Sequence, residues 1–321
     1  GTEYHFDLSM RVLEHGVNIE VEKPLCTDLQ QVDALMDRAA EKGVRVAVHH
    51  QHRVGASLTA MSRAVAEGRI GSLRHINATG KGYYGGYGLM NIGTHLLTYL
   101  MKFSGRCRSV VATALTDGRP VTPHEVVASP GGMGTIAGEQ ITATLSFDDN
   151  VTASLLHHRY PVVDVAAYGL ELYGTEGRLI WKDHAVWLLP QPHFVPGGER
   201  GLWQPLEVKF PDHYDPADGV EANDYSFVDE YVRALDEGRE HECSGDEGRH
   251  VIEIIMGIFE SAAYGRSVDL PQKRRDHPLL RWRRENGLGD AKPGPRSYYD
   301  WLAAEDRRVG RDADTDAAAP S

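Results

Sequence analysis

The first fifty residues alternate helix and strand with links of only a few residues, and that rhythm constrains the fold more than anything else in the chain. Val17-Asn18-Ile19-Glu20-Val21 is short and rich in β-branched side chains. Lys23-Pro24 ends it, because a proline ring pushes the residue before it out of helical geometry. Ahead of this strand, Phe6, Leu8, Val12 and Leu13 fall roughly on one helical face, and Gly16 sits where a left-handed cap belongs. Behind it, Thr27 and Gln30 have the spacing of a capping box, and Leu29, Val32, Leu35, Met36 and Ala39 recur at helical spacing as far as Gly43. Val44 to Val48 reads as a second buried strand. Strands joined through a helix by short links run parallel, so this segment predicts part of a doubly wound α/β sheet.

After residue 50 the pattern changes. A helix over 57–67 closes at Gly68, a strand-like LRHINAT follows, and the glycine-rich GKGYYGGYG leads into a helix from Leu89 to Phe103. Strands are then predicted at 110–114, 140–147, 151–157, 170–173, 178–181 and 206–210, which together describe one large, mainly antiparallel sheet. Two helices complete it: one over 224–237, and one over 246–264 opened by a Ser244/Glu247 capping box. Those helices suffice for one face of the sheet, so the other is expected to be an uncovered apolar surface through which copies associate. Residues 115–138 and 188–220 read as long loops. Beyond Pro271 the chain turns charged and irregular, and RDADTDAAAPS has almost nothing to bury, as a disordered tail would.

The charge balance narrows the partners. Against 34 Lys and Arg stand 46 Asp and Glu, a formal net charge of −12 that repels phosphate backbones and anionic lipid, so neither nucleic acid nor a membrane is an expected partner. No apolar run approaches the ~20 residues that span a bilayer. The three cysteines, Cys26, Cys107 and Cys243, are far apart and in no metal-like spacing, which fits a reducing, cytoplasmic setting. The chain opens on Gly1 with an amphipathic helix pattern, so its start reads as cut rather than as a targeting segment.

Two constellations carry chemistry. Lys23 follows a parallel strand at its carboxyl end, the edge of an α/β sheet where ligands collect, although a lysine there is also compatible with simple solvation. Asn91 and His95 are four residues apart and are expected to share one helix face near its N-terminus, where histidine can exchange protons near neutral pH and the amide can orient a hydroxyl or the imidazole. A buried histidine satisfied by the backbone is the bland alternative. His49, His50 and His52 at the end of a strand, with His157 and His158 on another, admit substrate recognition, plain structural roles or a metal site, and no metal is expected.

Glu22-Lys23-Pro24 and Gly93-Thr94-His95, together with His5 before LEHG, NIEVEKPL, AVAEGRIGSLRHI, GGYGLMNIGTHLL, LYGTEGRLIW and FESAAYGRSVDLP in that order, resemble the Gfo/Idh/MocA (glucose–fructose oxidoreductase, inositol dehydrogenase, rhizopine catabolism) oxidoreductases from residue 1 to about 272. The resemblance implies the C-terminal part of a Rossmann dinucleotide-binding domain over 1–70, a substrate-binding and oligomerisation α/β domain over 71–305 with helices on one face of its sheet, and a disordered tail over 306–321. It implies hydride transfer between a sugar, cyclitol or related polyol and NAD or NADP in a cytoplasmic homodimer or homotetramer. Lys23 would orient the reacting hydroxyl, His95 would take its proton, and Asn91 would occupy the family's aspartate position. Thr2, His5, Glu22, Lys23 and Pro24 would meet the nicotinamide end of the cofactor, while His50, His52, Tyr83, Tyr84 and Arg159 would contact substrate, with Tyr87 a further polar candidate.

The chain departs from the family's pattern at Asn91, at Thr98, where the family carries a second aspartate, and in holding no strand followed by G-x-G-x-x-G. Two other readings stay open: an NAD-using glycoside hydrolase or lyase on the same scaffold, and a catalytically silent binding or oligomerising module. Because a glycine turn and helix N-terminus normally hold the pyrophosphate, these residues by themselves are expected to bind NAD very weakly. Titration calorimetry checks this, and micromolar affinity contradicts it.

Overall fold

The computed structural model describes residues 1–182, 185–193 and 201–311. The opening alternation is present as α1 (His5–Leu13), β1 (Ile19–Val21), α2 (Leu29–Lys42) and β2 (Val46–Val48). The two strands pair in parallel, with Ile19 opposite Val46 and Val21 opposite Val48. Leu29, Val32, Leu35 and Ala39 bury one face of α2, whose end at Gly43 takes the left-handed conformation (φ 65°). The cap at its start lies one residue later than the spacing suggests. Asp28 accepts the Gln31 amide at 2.9 Å, and Gln31 reaches back to the Thr27 amide and hydroxyl at 3.2 and 2.9 Å. A carboxylate competes better than a threonine hydroxyl for the cap.

The remaining elements are α3 (Ala56–Ala66), β3 (Leu73–Thr79), α4 (Gly85–Asn91), α5 (Gly93–Ser104), β4 (Cys107–Thr116), β5 (Arg119–Pro120), β6 (Val127–Ala128), β7 (Thr135–Ile136), β8 (Gln140–Phe147), β9 (Thr152–His158), β10 (Gly169–Gly174), β11 (Arg178–Lys182), β12 (Ala185–Leu189), β13 (Gln204–Pro205), α6 (Ala222–Asp236), α7 (Gly245–Tyr264), β14 (Val268–Asp269), α8 (Pro278–Glu285) and α9 (Tyr298–Arg308). A ten-stranded sheet runs β13-β12-β11-β10-β3-β9-β8-β4-β14, with β5 beside β4. All its pairings are antiparallel except β3 with β9. The expected strand over 206–210 is replaced by β12 and the two-residue β13. The long loop over 115–138 contains three short strands, and the part of the loop at 194–200 lies outside the described residues.

Alternation along the strands sends Ile76, Ala78, Ile141, Ala143, Leu145, Ala153, Leu155, Leu170 and Leu172 into the core under α4, α5 and α7. The opposite face carries Thr142, Thr144, Ser154, His75, Asn77 and Glu171. The same face also holds Val111, Leu156, Ile180 and Trp187, so it is mixed rather than the apolar surface expected. Strands with one hydrated face keep hydroxyl and amide side chains there.

The chain beyond Pro271 is more ordered than its composition suggests. Trp301 of α9 is 2% exposed, and its indole N–H donates to the Ala128 carbonyl at 2.9 Å. The expected tail begins within α9, and Arg311 still reaches Glu139. Residues 312–321 lie outside the described part.

The glycine run is not a flexible lead-in, since it forms α4 itself. Gly85 and Gly86 donate to Glu139 and Gly138 carbonyls, both at 2.9 Å. A Cβ on Gly85 would lie 2.6 Å from the His157 carbonyl oxygen and 2.8 Å from that of Glu139. Only a residue without a side chain lets the helix approach the ends of β8 and β9 this closely. Gly85→Ala is thus expected to cost about 1–3 kcal/mol by overpacking against backbone, whereas Gly201→Ala, in open space, costs little. Urea denaturation measures both, and equal stability of the two variants contradicts this packing account.

Candidate active site

At the carboxyl end of β1 the Lys23–Pro24 bond is cis, and the Lys23 side chain crosses to the junction of α4 and α5. In an unbroken helix the His95 amide would bond the Asn91 carbonyl. Instead α4 ends at Asn91 and the His95 amide bonds Ile92 O at 3.1 Å. The released Asn91 carbonyl accepts from Thr94 Oγ1 at 2.9 Å and from Lys23 Nζ at 3.4 Å, and Asn91 Oδ1 accepts the same ammonium at 2.7 Å. Asn91 Nδ2 donates to Tyr87 Oη at 3.3 Å. Asn91 and His95 therefore do not share the face of one helix near its start. One closes α4, the other lies in the first turn of α5, and the break between them creates the lysine's acceptor. Burial lowers the Lys23 ammonium's pKa below the ordinary lysine value; the charge of Lys81 acts in the same direction, and Glu22 opposes it.

His95 is 8% exposed and His50 1%. Their rings meet edge-on at 5.5 Å between centroids, and His52 lies 5.6 Å from His95. Neither ring nitrogen of His50 has a hydrogen-bond partner, nor does Nδ1 of His95. Burial, reinforced by Lys23 and the neighbouring histidines, holds both imidazoles well below the usual histidine pKa. They are uncharged near neutrality. His52 lies parallel to Tyr99 at 6.4 Å and edge-on to Trp181 at 6.3 Å. Thr98, at the family's second aspartate position, is fully buried and returns its hydroxyl to the His95 carbonyl at 2.7 Å.

Lys23, Asn91, His95, His50 and His52 are thus brought together, and the other expected contributors divide. His5 Nδ1 bonds the Pro24 carbonyl at 2.8 Å, which ties α1 to the end of β1. Thr2 is buried close by in sequence, and the Glu22 carboxylate accepts the Lys23 amide at 3.2 Å. Tyr83 and Tyr87 form a ring cluster with Tyr298 at 5.1 and 4.7 Å between centroids. Tyr84 is not a substrate contact. It is 2% exposed and packs edge-on against Trp301. Arg159 is committed elsewhere, gripping Asp306 at 2.6 and 2.8 Å and Glu139 at 3.0 Å, so it locks α9 to the sheet. His157 lies 2% exposed beneath the glycines of α4 with its pKa pushed down to about 3 by burial, and His158 bonds Thr142 on the outer face. Among the described residues no group of three or more His, Cys, Asp or Glu side chains could hold a metal ion.

Sequence reasoning passed over Lys81, Tyr99, Tyr168 and Trp181. Lys81 Nζ lies 5.2 Å from the Tyr168 ring centroid, Tyr168 Oη donates to Tyr99 Oη at 3.2 Å, and Tyr168 meets Trp181 edge-on at 5.0 Å. The available signal was the aromatic and basic residues near the ends of β3, β10 and β11, on the side where α5 presents His95.

Residues 1–50 match a family model described as the NAD-binding Rossmann fold of an oxidoreductase family, Gfo/Idh/MocA, and residues 79–270 match that family's C-terminal alpha/beta domain. A 1,5-anhydro-D-fructose reductase from Ensifer adhaerens is 28% identical over 191 residues, 56% of this chain and 54% of that protein. The chain spans about half the length, or less, of the curated relatives it matches. Its fold resembles that of an NAD-binding oxidoreductase from Klebsiella pneumoniae (TM-score 0.67, 17% identity, 85% of this chain and 79% of that one). It also resembles an aldose-aldose oxidoreductase from Caulobacter crescentus complexed with glycerol (TM-score 0.64, 18% identity, 84% and 77%).

One histidine beside the site behaves oppositely to His50 and His95. His49 bridges Glu20 on β1 and Asp224 on α6, the latter at 3.1 Å, and lies 4.6 Å from the Phe227 ring. The Glu20 carboxylate raises its pKa to about 9 against the opposing effect of burial, and Asp224 adds to the rise. The unfolded histidine titrates near ~6.5. The stabilisation this bridge provides is therefore complete below that pH and is lost as pH rises through about 9. Chemical denaturation at pH 6 and pH 9.5 is expected to show a loss of about 1–3 kcal/mol, discounted for the exposed carboxylates, that His49→Gln removes. An identical pH dependence in the variant contradicts this assignment.

Proposed function

The chain belongs to the Gfo/Idh/MocA oxidoreductase family, and from that premise we propose that it transfers hydride between a sugar, cyclitol or related polyol and NAD or NADP. In this reading Lys23 and His95 are the catalytic residues, and Asn91 positions Lys23. The observation that carries it is the desolvated ammonium of Lys23, held by Asn91 at 2.7 Å beside the buried His95, whose Nδ1 has no partner. The similarity to a reductase of an anhydro sugar supports the same chemistry.

The residues at the end of β1 fit the nicotinamide end of the cofactor: a buried Thr2, His5 anchored on Pro24, and Glu22 and Lys23 at the sheet's ligand-binding edge. Thr2, His5, Glu22, Lys23 and Pro24 would hold it there. Bound in that position, the nicotinamide supplies the acceptor or donor of a hydride.

The chain's own residues handle the oxygen and the proton. An alcohol losing hydride must also lose its hydroxyl proton, and the oxygen becomes negative unless charge is supplied. Lys23 supplies that charge, and desolvation strengthens its effect on the oxygen relative to water. His95, kept neutral by burial, can receive the proton without first losing one. Tyr83 and Tyr87, with His50 and His52, offer further polar groups to the remaining hydroxyls. In the reductive direction the same groups exchange roles.

If this reading holds, His95→Ala and Lys23→Met lower kcat more than they raise KM, by ~10²–10⁴-fold for the histidine. Asn91→Asp places a carboxylate beside the ammonium and offsets the Lys23 charge that helps hold His95 low, so the apparent pKa of His95 rises and the acid limb of the pH–rate profile moves upward. Steady-state rates over pH 5–10, measured in a form of the enzyme that binds the nicotinamide cofactor, check both. Near-normal turnover of His95→Ala with an unmoved Asn91→Asp profile would falsify the proposal.

A further inference from the structure

Two half-buried lysines face the candidate site, and among the described residues neither ammonium forms a salt bridge; the Glu22 charge acts on Lys23, and no carboxylate does so on Lys81. Lys23 is held only by the uncharged oxygens of Asn91. Lys81 follows the carboxyl end of β3 and extends its ammonium over the Tyr168 ring at 5.2 Å. Tyr168 bonds Tyr99 through its hydroxyl, and the Tyr99 ring lies 6.4 Å from both His52 and His95. Lys81 therefore stands over the same aromatic floor whose other side carries the histidines, near enough that its charge lowers the pKa of Lys23.

The acids of this region are occupied elsewhere. The Glu22 carboxylate accepts the Lys23 backbone amide, and Asp164, whose own amide bonds the Lys81 carbonyl, caps Ala166 at 2.8 Å. Glu171 pairs with Arg178, Glu139 with Arg159, and Glu20 and Asp224 with His49. The buried side chains of His50 and His95 have nitrogens without partners and contribute no negative charge. A cation withdrawn from water without an anion is unfavourable, and it is compensated when a bound ligand brings the missing charge.

We propose that the substrate is a carboxylate-bearing sugar or polyol, a uronate or aldonate, with Lys81 receiving the carboxylate while the reacting hydroxyl lies between Lys23 and His95. Lys81 is then a specificity-determining residue. The proposal rests on the oxidoreductase reading above and specifies its substrate class.

The test is a set of matched pairs that differ at one carbon: D-glucuronate with D-glucose, D-galacturonate with D-galactose, and D-gluconate with D-glucitol. Binding to the whole chain is measured by calorimetry at low salt, and oxidation by NADH or NADPH formation. A hydrogen bond to a charged group is among the stronger ones, so at least one acid is expected to bind about tenfold more tightly than its neutral partner. Lys81→Met should abolish that preference, and Lys81→Arg should keep most of it, with unchanged thermal melting showing that both variants fold. Equal binding within every pair, or a preference that survives Lys81→Met, overturns the proposal. If neutral sugars are bound and acids are not, the acid specificity fails while the oxidoreductase reading stands. If neither class is bound, both fail.

Discussion

The ammonium of Lys23 leaves the end of β1, enters the gap between α4 and α5, and ends on two oxygens of Asn91. This contact joins the small parallel sheet to the large mixed one at the point where the chemistry is assigned. Three local features make it possible. The turn at Lys23-Pro24 directs the side chain off the strand. The break after Asn91 releases a carbonyl that a continuous helix would have used internally. Glycines at the start of α4 let that helix approach β8 and β9 closely enough to bring its end within reach.

Around that contact the structure sorts its histidines by environment rather than by type. His50 and His95 are enclosed by aromatic rings and each other, so burial keeps them neutral. His49, one residue from His50 in sequence, faces two carboxylates and remains charged to about pH 9. The chain turns after β2, where the His50 amide bonds the Val48 carbonyl at 2.6 Å. One chain position thus separates a structural ion pair that pins α6 from a neutral side chain at the site.

Much of the architecture was legible in the sequence because it rests on local rules. Leu29, Val32, Leu35 and Ala39 mark α2, and Gly43 ends it. Ser244 opens α7, accepting the Glu247 amide at 3.3 Å. Lys23 and His95 were legible through their motifs. What escaped was set by tertiary contacts. Gly85 and Gly86 look like a loop until β8 and β9 are placed against them. Tyr84 and Arg159 carry groups suited to a sugar, but α9, hidden in a charged C-terminal stretch, takes one into the core through Trp301 and the other through Asp306. Lys81 lies in the glycine-rich GKGYYGGYG, which drew attention only as a lead-in to a helix, and its setting comes from Tyr168, 87 positions further along the chain.

The account depends on Lys23 being a partly desolvated ammonium whose only close acceptors are uncharged. The most direct measurement is the titration of its Nζ by heteronuclear NMR, using Lys23→Arg to assign the resonance. The account predicts a pKa below the ordinary ~10.4 of lysine, rising in Asn91→Asp as a carboxylate replaces the amide. A lysine that titrates at its ordinary value and does not respond to Asn91→Asp would contradict it.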